Sequence, residues 1–170
     1  MQQELVVQPE IKLMGLSVRT RNQDEFNPET AKIGKLFGQF LSQNISNQIP
    51  HRKNPGVIFS TYTNYESDYQ GAYTYFIGEE VSDFGNISNT PEGLEKLMIP
   101  ASRYLKFTTS PGKLPDIVIS AWQEIWGMAE SQYLKNINLE RIYQADFEIY
   151  DHRCADSSQA IVDIYLGVKG

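Results

Sequence analysis

The sequence predicts an α+β domain of two pseudo-symmetric βαββ repeats, their strands joined in one antiparallel sheet with two long helices on one face. Three observations predict it. Two segments carry the apolar periodicity of amphipathic helices, strand-like segments flank each helix in the same order, and the spacing between the halves is nearly constant.

The first helical segment opens at Asn27-Pro28, an N-cap residue before a proline at the first helical position. Ile33, Leu36, Phe37, Phe40 and Leu41 then recur at the spacing of a helix packed on one side. The second segment opens near Pro115-Asp116 and carries Val118, Ala121, Trp122, Ile125, Trp126 and Ala129 at the same period. A predicted strand precedes each helix, over 12–20 and 102–109. Two predicted strands follow each, over 56–63 and 71–81 in the first half and over 145–152 and 159–168 in the second. Pro28 to Pro115 is 87 positions, Phe59 to Phe147 is 88, and Gly78 to Gly167 is 89. The repeats are therefore set at about 4–81 and 97–170, with a polar linker over about 82–96 that contains SNTPEG. One helix cannot cover a sheet as a separate domain, so residues 1–170 are expected to form a single domain. Two helices side by side on its sheet leave a groove, a natural place for a small molecule.

Composition narrows the function. With 170 residues and 41% hydrophobic side chains, the chain can bury a core of ordinary size. Its one cysteine, Cys154, permits no internal disulfide, which fits a reducing compartment. The N-terminus has no signal-peptide pattern, and no apolar run approaches membrane-span length, so a cytoplasmic location and no membrane partner are expected. A net charge of −6 with 15 scattered basic residues lacks the phosphate-binding footprint of a nucleic-acid partner. One cysteine and two histidines supply no metal-ligand spacing, and there is no phosphate loop, Rossmann fingerprint or nucleophile elbow. No metal and no cofactor are expected.

Two features point to a ligand. Five of the ten tyrosines, Tyr62, Tyr65, Tyr69, Tyr73 and Tyr75, fall within 14 positions. Such a cluster suits a strand-rich half-buried surface or the lining of a pocket. Glu148 lies in Ala145-Asp146-Phe147-Glu148-Ile149-Tyr150, where strand alternation puts Asp146, Glu148 and Tyr150 on one face. Its repeat partner is Ser60, so the carboxylate is not part of the duplicated pattern. If that face meets water, Glu148 is an ordinary surface residue. If it meets the groove, a ligand cation beside aromatic rings could be its partner. Trp122 and Trp126 share one helical face, where they either fill the core or wall the groove.

These segments resemble a known family. Met98-Ile99-Pro100-Ala101 with Tyr104-Leu105-Lys106-Phe107, the Trp122 to Trp126 helix, Phe147-Glu148-Ile149-Tyr150, and the closing strand Tyr75-Phe76-Ile77-Gly78 are similar to motifs of the GyrI-like small-molecule-binding domain. This is the effector-binding module of AraC- and MerR-type multidrug-sensing regulators. The resemblance spans nearly the whole chain. It implies that Glu148 matches the family's pocket glutamate, which faces organic cations. Trp122, Trp126 and Tyr150 carry over as motif matches. Tyr62 joins them as the repeat partner of Tyr150, and Tyr73 and Tyr75 as residues of the neighbouring strand. The chain shows no helix-turn-helix segment ahead of the first predicted strand, so the expected form is a stand-alone binder similar to integron-cassette proteins, without direct contact to nucleic acid. The expected function is binding of a cationic amphipathic molecule in an aromatic groove with Glu148 at its floor, for transcriptional regulation or sequestration. A hydrolase of reactive xenobiotics using Glu148 as general acid or base stays open, as does a protein-interaction module of gyrase-inhibitor type. A protein partner or a homo-oligomer is compatible with each.

Overall fold

The computed structural model describes residues 1–85, 91–130 and 132–170, the side chains of residues 129 and 130 excepted. The Ala129 side chain of the predicted helical stripe and Ser88-Asn89-Thr90 of the predicted linker lie outside what is described.

The chain opens with β1 (Gln2–Gln8) and β2 (Ile11–Arg21), then a single turn, α1 (Asn22–Glu25), and α2 (Ile33–Ser42). β3 (Ile58–Thr63) and β4 (Ala72–Glu80) complete the first half. β5 (Glu95–Ile99), β6 (Ser102–Thr108) and α3 (Asp116–Glu130) begin the second. A short α4 (Tyr133–Asn136) and β7 (Glu140–Arg141) lead to β8 (Ala145–Tyr150) and β9 (Asp163–Lys169). Among the described residues, no helix is long and apolar enough to cross a membrane.

All strands join one antiparallel sheet in the order β1-β6-β9-β8-β3-β4-β2-β5, with β7 added on β9. Exchanging each strand for its repeat equivalent reverses this order, so the sheet has a pseudo-twofold axis between β3 and β8. Each half is thus ββαββ rather than βαββ. The added first strand crosses over: β1 pairs with β6 of the second half, and β5 with β2 of the first. Both strands lie at sheet edges, and their sequences QQELVVQ and EKLMI, without alternation of apolar and polar residues, hide them from a periodicity reading. β5 also begins at Glu95, inside the segment expected to be linker.

The first helix starts later than Asn27-Pro28. The Asn27 side-chain oxygen accepts from Glu29 N at 3.0 Å, closing a turn there instead. Helix α2 begins at Ile33 because the Glu25 carboxylate accepts from the backbone N–H groups of Lys32 and Ile33, at 3.0 Å each. A carboxylate on otherwise unpaired N–H groups is favoured at a helix N-terminus. The expected stripe holds in part. Phe40 is buried, but Leu41 is 57% exposed.

Three cores hold the sheet. α2 packs over Met14, Tyr75 and Ile77. α3 packs Val118, Ala121, Trp122 and Ile125 over Leu105, Ile164 and Leu166. The opposite face of the sheet has its own core without helix residues, centred on Phe59, Tyr104, Phe147 and Tyr165. There Phe147 stacks on Tyr165 with centroids 4.6 Å apart. Because Phe147 fills that face, strand alternation turns its neighbour Glu148 toward the helices.

Candidate ligand-binding site

A cavity of about 630 Å³ lies between α2 and α3, with β3, β4 and β8 as its floor. Alternation on the two central strands brings Ser60 and Tyr62 of β3 onto the same face as Asp146, Glu148 and Tyr150 of β8. Ser60 sits directly opposite Glu148 in the ladder. Space above the floor comes partly from α2. Gly34 and Gly38, one turn apart, line the cavity, and a Cβ at either would meet no atom within 4 Å. A helical glycine costs roughly 1 kcal/mol relative to alanine. Here that cost leaves room where side chains would otherwise stand.

All seven residues singled out in the sequence line this cavity: Glu148, Tyr150, Trp122, Trp126, Tyr62, Tyr73 and Tyr75. Their geometry differs. Glu148 is only 2% exposed. Its Oε1 accepts from the Tyr62 hydroxyl at 2.8 Å and from the Trp122 indole N–H at 2.6 Å. Its Oε2 accepts from the Tyr150 hydroxyl at 2.6 Å. Burial pushes the Glu148 carboxyl above its ordinary value, and the three hydrogen bonds pull it partway back. The phenols of Tyr62 and Tyr150 are pushed well up, first by burial and then by the Glu148 charge. They keep their protons and act as donors.

Tyr73 and Tyr75 contribute rings rather than hydroxyls to the carboxylate. The Tyr73 hydroxyl donates to Asn22 Oδ1 at 2.8 Å, and the Tyr75 hydroxyl shares a 2.7 Å hydrogen bond with Ser60 Oγ. Around them the aromatic wall is continuous. Tyr62 meets Trp122, Tyr73 and Tyr75 edge-on at 5.3–5.5 Å, and Phe37 meets Tyr150 at 5.5 Å. Trp126 stacks on Tyr69 at 6.1 Å and takes the edge of Phe26, itself 65% exposed, at 6.1 Å.

β8 carries a second buried carboxylate on the same face, with a different partner. Asp146 Oδ2 accepts from Arg141 Nη2 at 2.6 Å and from the Tyr65 hydroxyl, and Oδ1 from Gly167 N at 2.7 Å. Burial opposes the Arg141 charge, but Asp146 together with Tyr65 and Tyr143 outweighs it and raises the guanidinium pKa. Two carboxylates two residues apart are thus treated differently. Asp146 has a cation, whereas Glu148 is held by three neutral donors. Arg141, Glu25, Phe26, Phe37 and the two glycines also line the cavity and were not anticipated. Tyr65 and Tyr69 belonged to the tyrosine cluster that was.

The model of the Cass2 family, integron-associated effector-binding proteins, matches residues 4–168. The chain belongs to this family. The GyrI-like resemblance drawn from the tryptophan helix and the FEIY strand thus holds at the level of family. YobU, a candidate transcriptional regulator of Bacillus subtilis, is 32% identical over 93% of this chain and 92% of its own. The integron cassette protein VCH_CASS2 of Vibrio cholerae is 28% identical with a TM-score of 0.73, covering 98% of this chain and 95% of that one. SAV2435, whose structure contains tetraphenylphosphonium, shares the Cass2 fold at a TM-score of 0.74 and 16% identity, covering 100% and 95%.

Proposed function

We propose that this protein binds a lipophilic organic cation in the cavity between α2 and α3, with Glu148 as the countercharge. The rings of Tyr62, Tyr73, Tyr75, Trp122, Trp126 and Tyr150 form the wall. One observation carries the reading: Glu148 is a buried carboxylate on an aromatic floor whose hydrogen-bond partners are all neutral. A buried charge held without a counterion is costly, and a cation offsets that cost. At ~5 Å and an effective dielectric of about 20, the attraction is on the order of 3 kcal/mol. That corresponds to roughly 100-fold in affinity. The surrounding rings add cation–π attraction. The cavity volume falls within the range of drug-sized sites. The tetraphenylphosphonium bound by SAV2435 is a cation of this class, and the effector-binding family supports a receptor role. The description of YobU supports use of the bound effector in transcriptional regulation.

The hydrolase alternative has less support. As proton donors assisting Glu148 in that chemistry, Tyr62 and Tyr150 are poorly poised, since their phenols are pushed up and hold their protons near neutral pH. Tryptophan fluorescence tests the reading, since Trp122 and Trp126 both line the cavity. Tetraphenylphosphonium should quench it saturably, and neutral triphenylphosphine oxide should do so much more weakly. Equal quenching by both, or by neither, removes the countercharge role.

A further inference from the structure

We infer that Arg141 is a second recognition point in the same cavity, taking a hydrogen-bond acceptor oxygen carried by the cation that Glu148 holds. The inference rests on the proposed cation site and names its ligand more narrowly: an amphipathic cation bearing a carbonyl or carboxylate oxygen, not a purely hydrocarbon one.

Arg141 lines the cavity, yet its side chain is only 4% exposed. Its Nη2 serves Asp146, while Nε and Nη1 are buried without a hydrogen bond of good geometry among the described residues. A guanidinium carries five N–H donors, and unpaired donors on a buried charge are among the most costly groups to leave unmade. Asp146 takes one of the guanidinium nitrogens and fills two further acceptor positions with Tyr65 and Gly167 N. The ring of Tyr143 covers the guanidinium at 4.1 Å from its centroid, so the unfilled donors lie along the guanidinium edge. They are screened from solvent, and an acceptor reaches them by displacing the flanking rings of Tyr65 and Tyr143, which pack edge-on at 5.5 Å. Asp146 and Glu148 are two residues apart on β8, about 7 Å along a strand. That spacing sets the scale, on the order of 7 Å, for the separation between the acceptor oxygen and the cationic centre.

Three triphenylphosphonium probes test this by calorimetry. One bears a hexyl chain, one a carboxybutyl chain, and one the primary amide of that acid. At least one oxygen-bearing probe should bind ~10-fold or more tightly than the hexyl probe, as expected for a hydrogen bond to a charged group. Preference for the acid identifies a carboxylate as the acceptor, and equal or better binding of the amide identifies a carbonyl. Arg141→Lys keeps a charge beside Asp146 but loses the guanidinium donors. It should abolish the preference between the oxygen-bearing and hexyl probes, each affinity being compared with that of the hexyl probe on the same variant. The Arg141 Nε–H resonance of the wild-type protein gives a readout independent of variant folding. It should shift with the preferred probe and stay in place with the hexyl probe. No preference in the wild type, a preference that survives Arg141→Lys, or an unmoved resonance overturns the inference. If the hexyl probe itself fails to bind, the cation site is refuted instead.

Discussion

Ser60 and Glu148 face each other across the β3–β8 ladder, at the axis about which the strand order reverses. They are equivalent positions of the two repeats, 88 residues apart, and only one of them carries charge. Two residues further along each strand stand Tyr62 and Tyr150, also equivalent, and both donate to Glu148. The duplication thus supplies a symmetric pair of donors to a single off-pattern carboxylate.

The two tyrosines are not equal in energy. Oε1 keeps the Trp122 indole if Tyr62 is lost, whereas Tyr150 is the donor seen on Oε2 among the described residues. Removing a hydrogen bond to a buried charge costs about 1.5–3 kcal/mol. Tyr150→Phe should fall at the upper end of that range and Tyr62→Phe at or below the lower. Urea unfolding at neutral pH checks the order, and equal losses would contradict it.

Acidification should weaken cation binding without a stability loss from Glu148. Its folded-state value lies above that of a solvated glutamate, about 4.3. Between the two values the folded protein holds more protons than the unfolded chain. The Glu148 contribution to stability therefore grows as pH falls through that window. The same protonation removes the countercharge. Tetraphenylphosphonium affinity should decline on the way down to pH about 4.5 and be flat over that range in Glu148→Gln. A flat wild-type profile contradicts the reading.

Substitutions at Gly38 should trade stability against space. With no atom within 4 Å of an added Cβ, Gly38→Ala should stabilise α2 by roughly 0.5–1 kcal/mol. Gly38→Leu should extend into the cavity and reduce tetraphenylphosphonium affinity by tenfold or more, about 1.4 kcal/mol. Thermal melting and titration read the two effects separately.

Asp146 should behave as structure. Asp146→Asn leaves the Arg141 charge buried without its counterion, which typically costs 3–5 kcal/mol. The midpoint of chemical unfolding reports it, and a loss below about 1 kcal/mol would mean that Arg141 has another partner.

The sequence carried the duplication because strand alternation and helical periodicity repeat at fixed spacing. It also placed Glu148 correctly relative to Phe147, since a two-residue period assigns neighbours to opposite faces. The edge strands escaped notice because one paired side and much exposure impose little apolar pattern on β1 and β5. The start of α2 was misplaced because its cap is Glu25, seven residues before Lys32, reached through a tertiary turn. Arg141 was equally hidden. Its partner Asp146 is five residues away, but only the fold buries the pair beside the cavity.

The most direct test compares tetraphenylphosphonium with a neutral triphenyl analogue by calorimetry, on the wild type and on Glu148→Gln. The carboxylate reading predicts that the wild type favours the cation by roughly 100-fold and that the substitution removes most of this margin while affinity for the neutral analogue is kept. A margin unchanged by Glu148→Gln in a folded protein would show that the rings alone select the ligand, and Glu148 would lose its role.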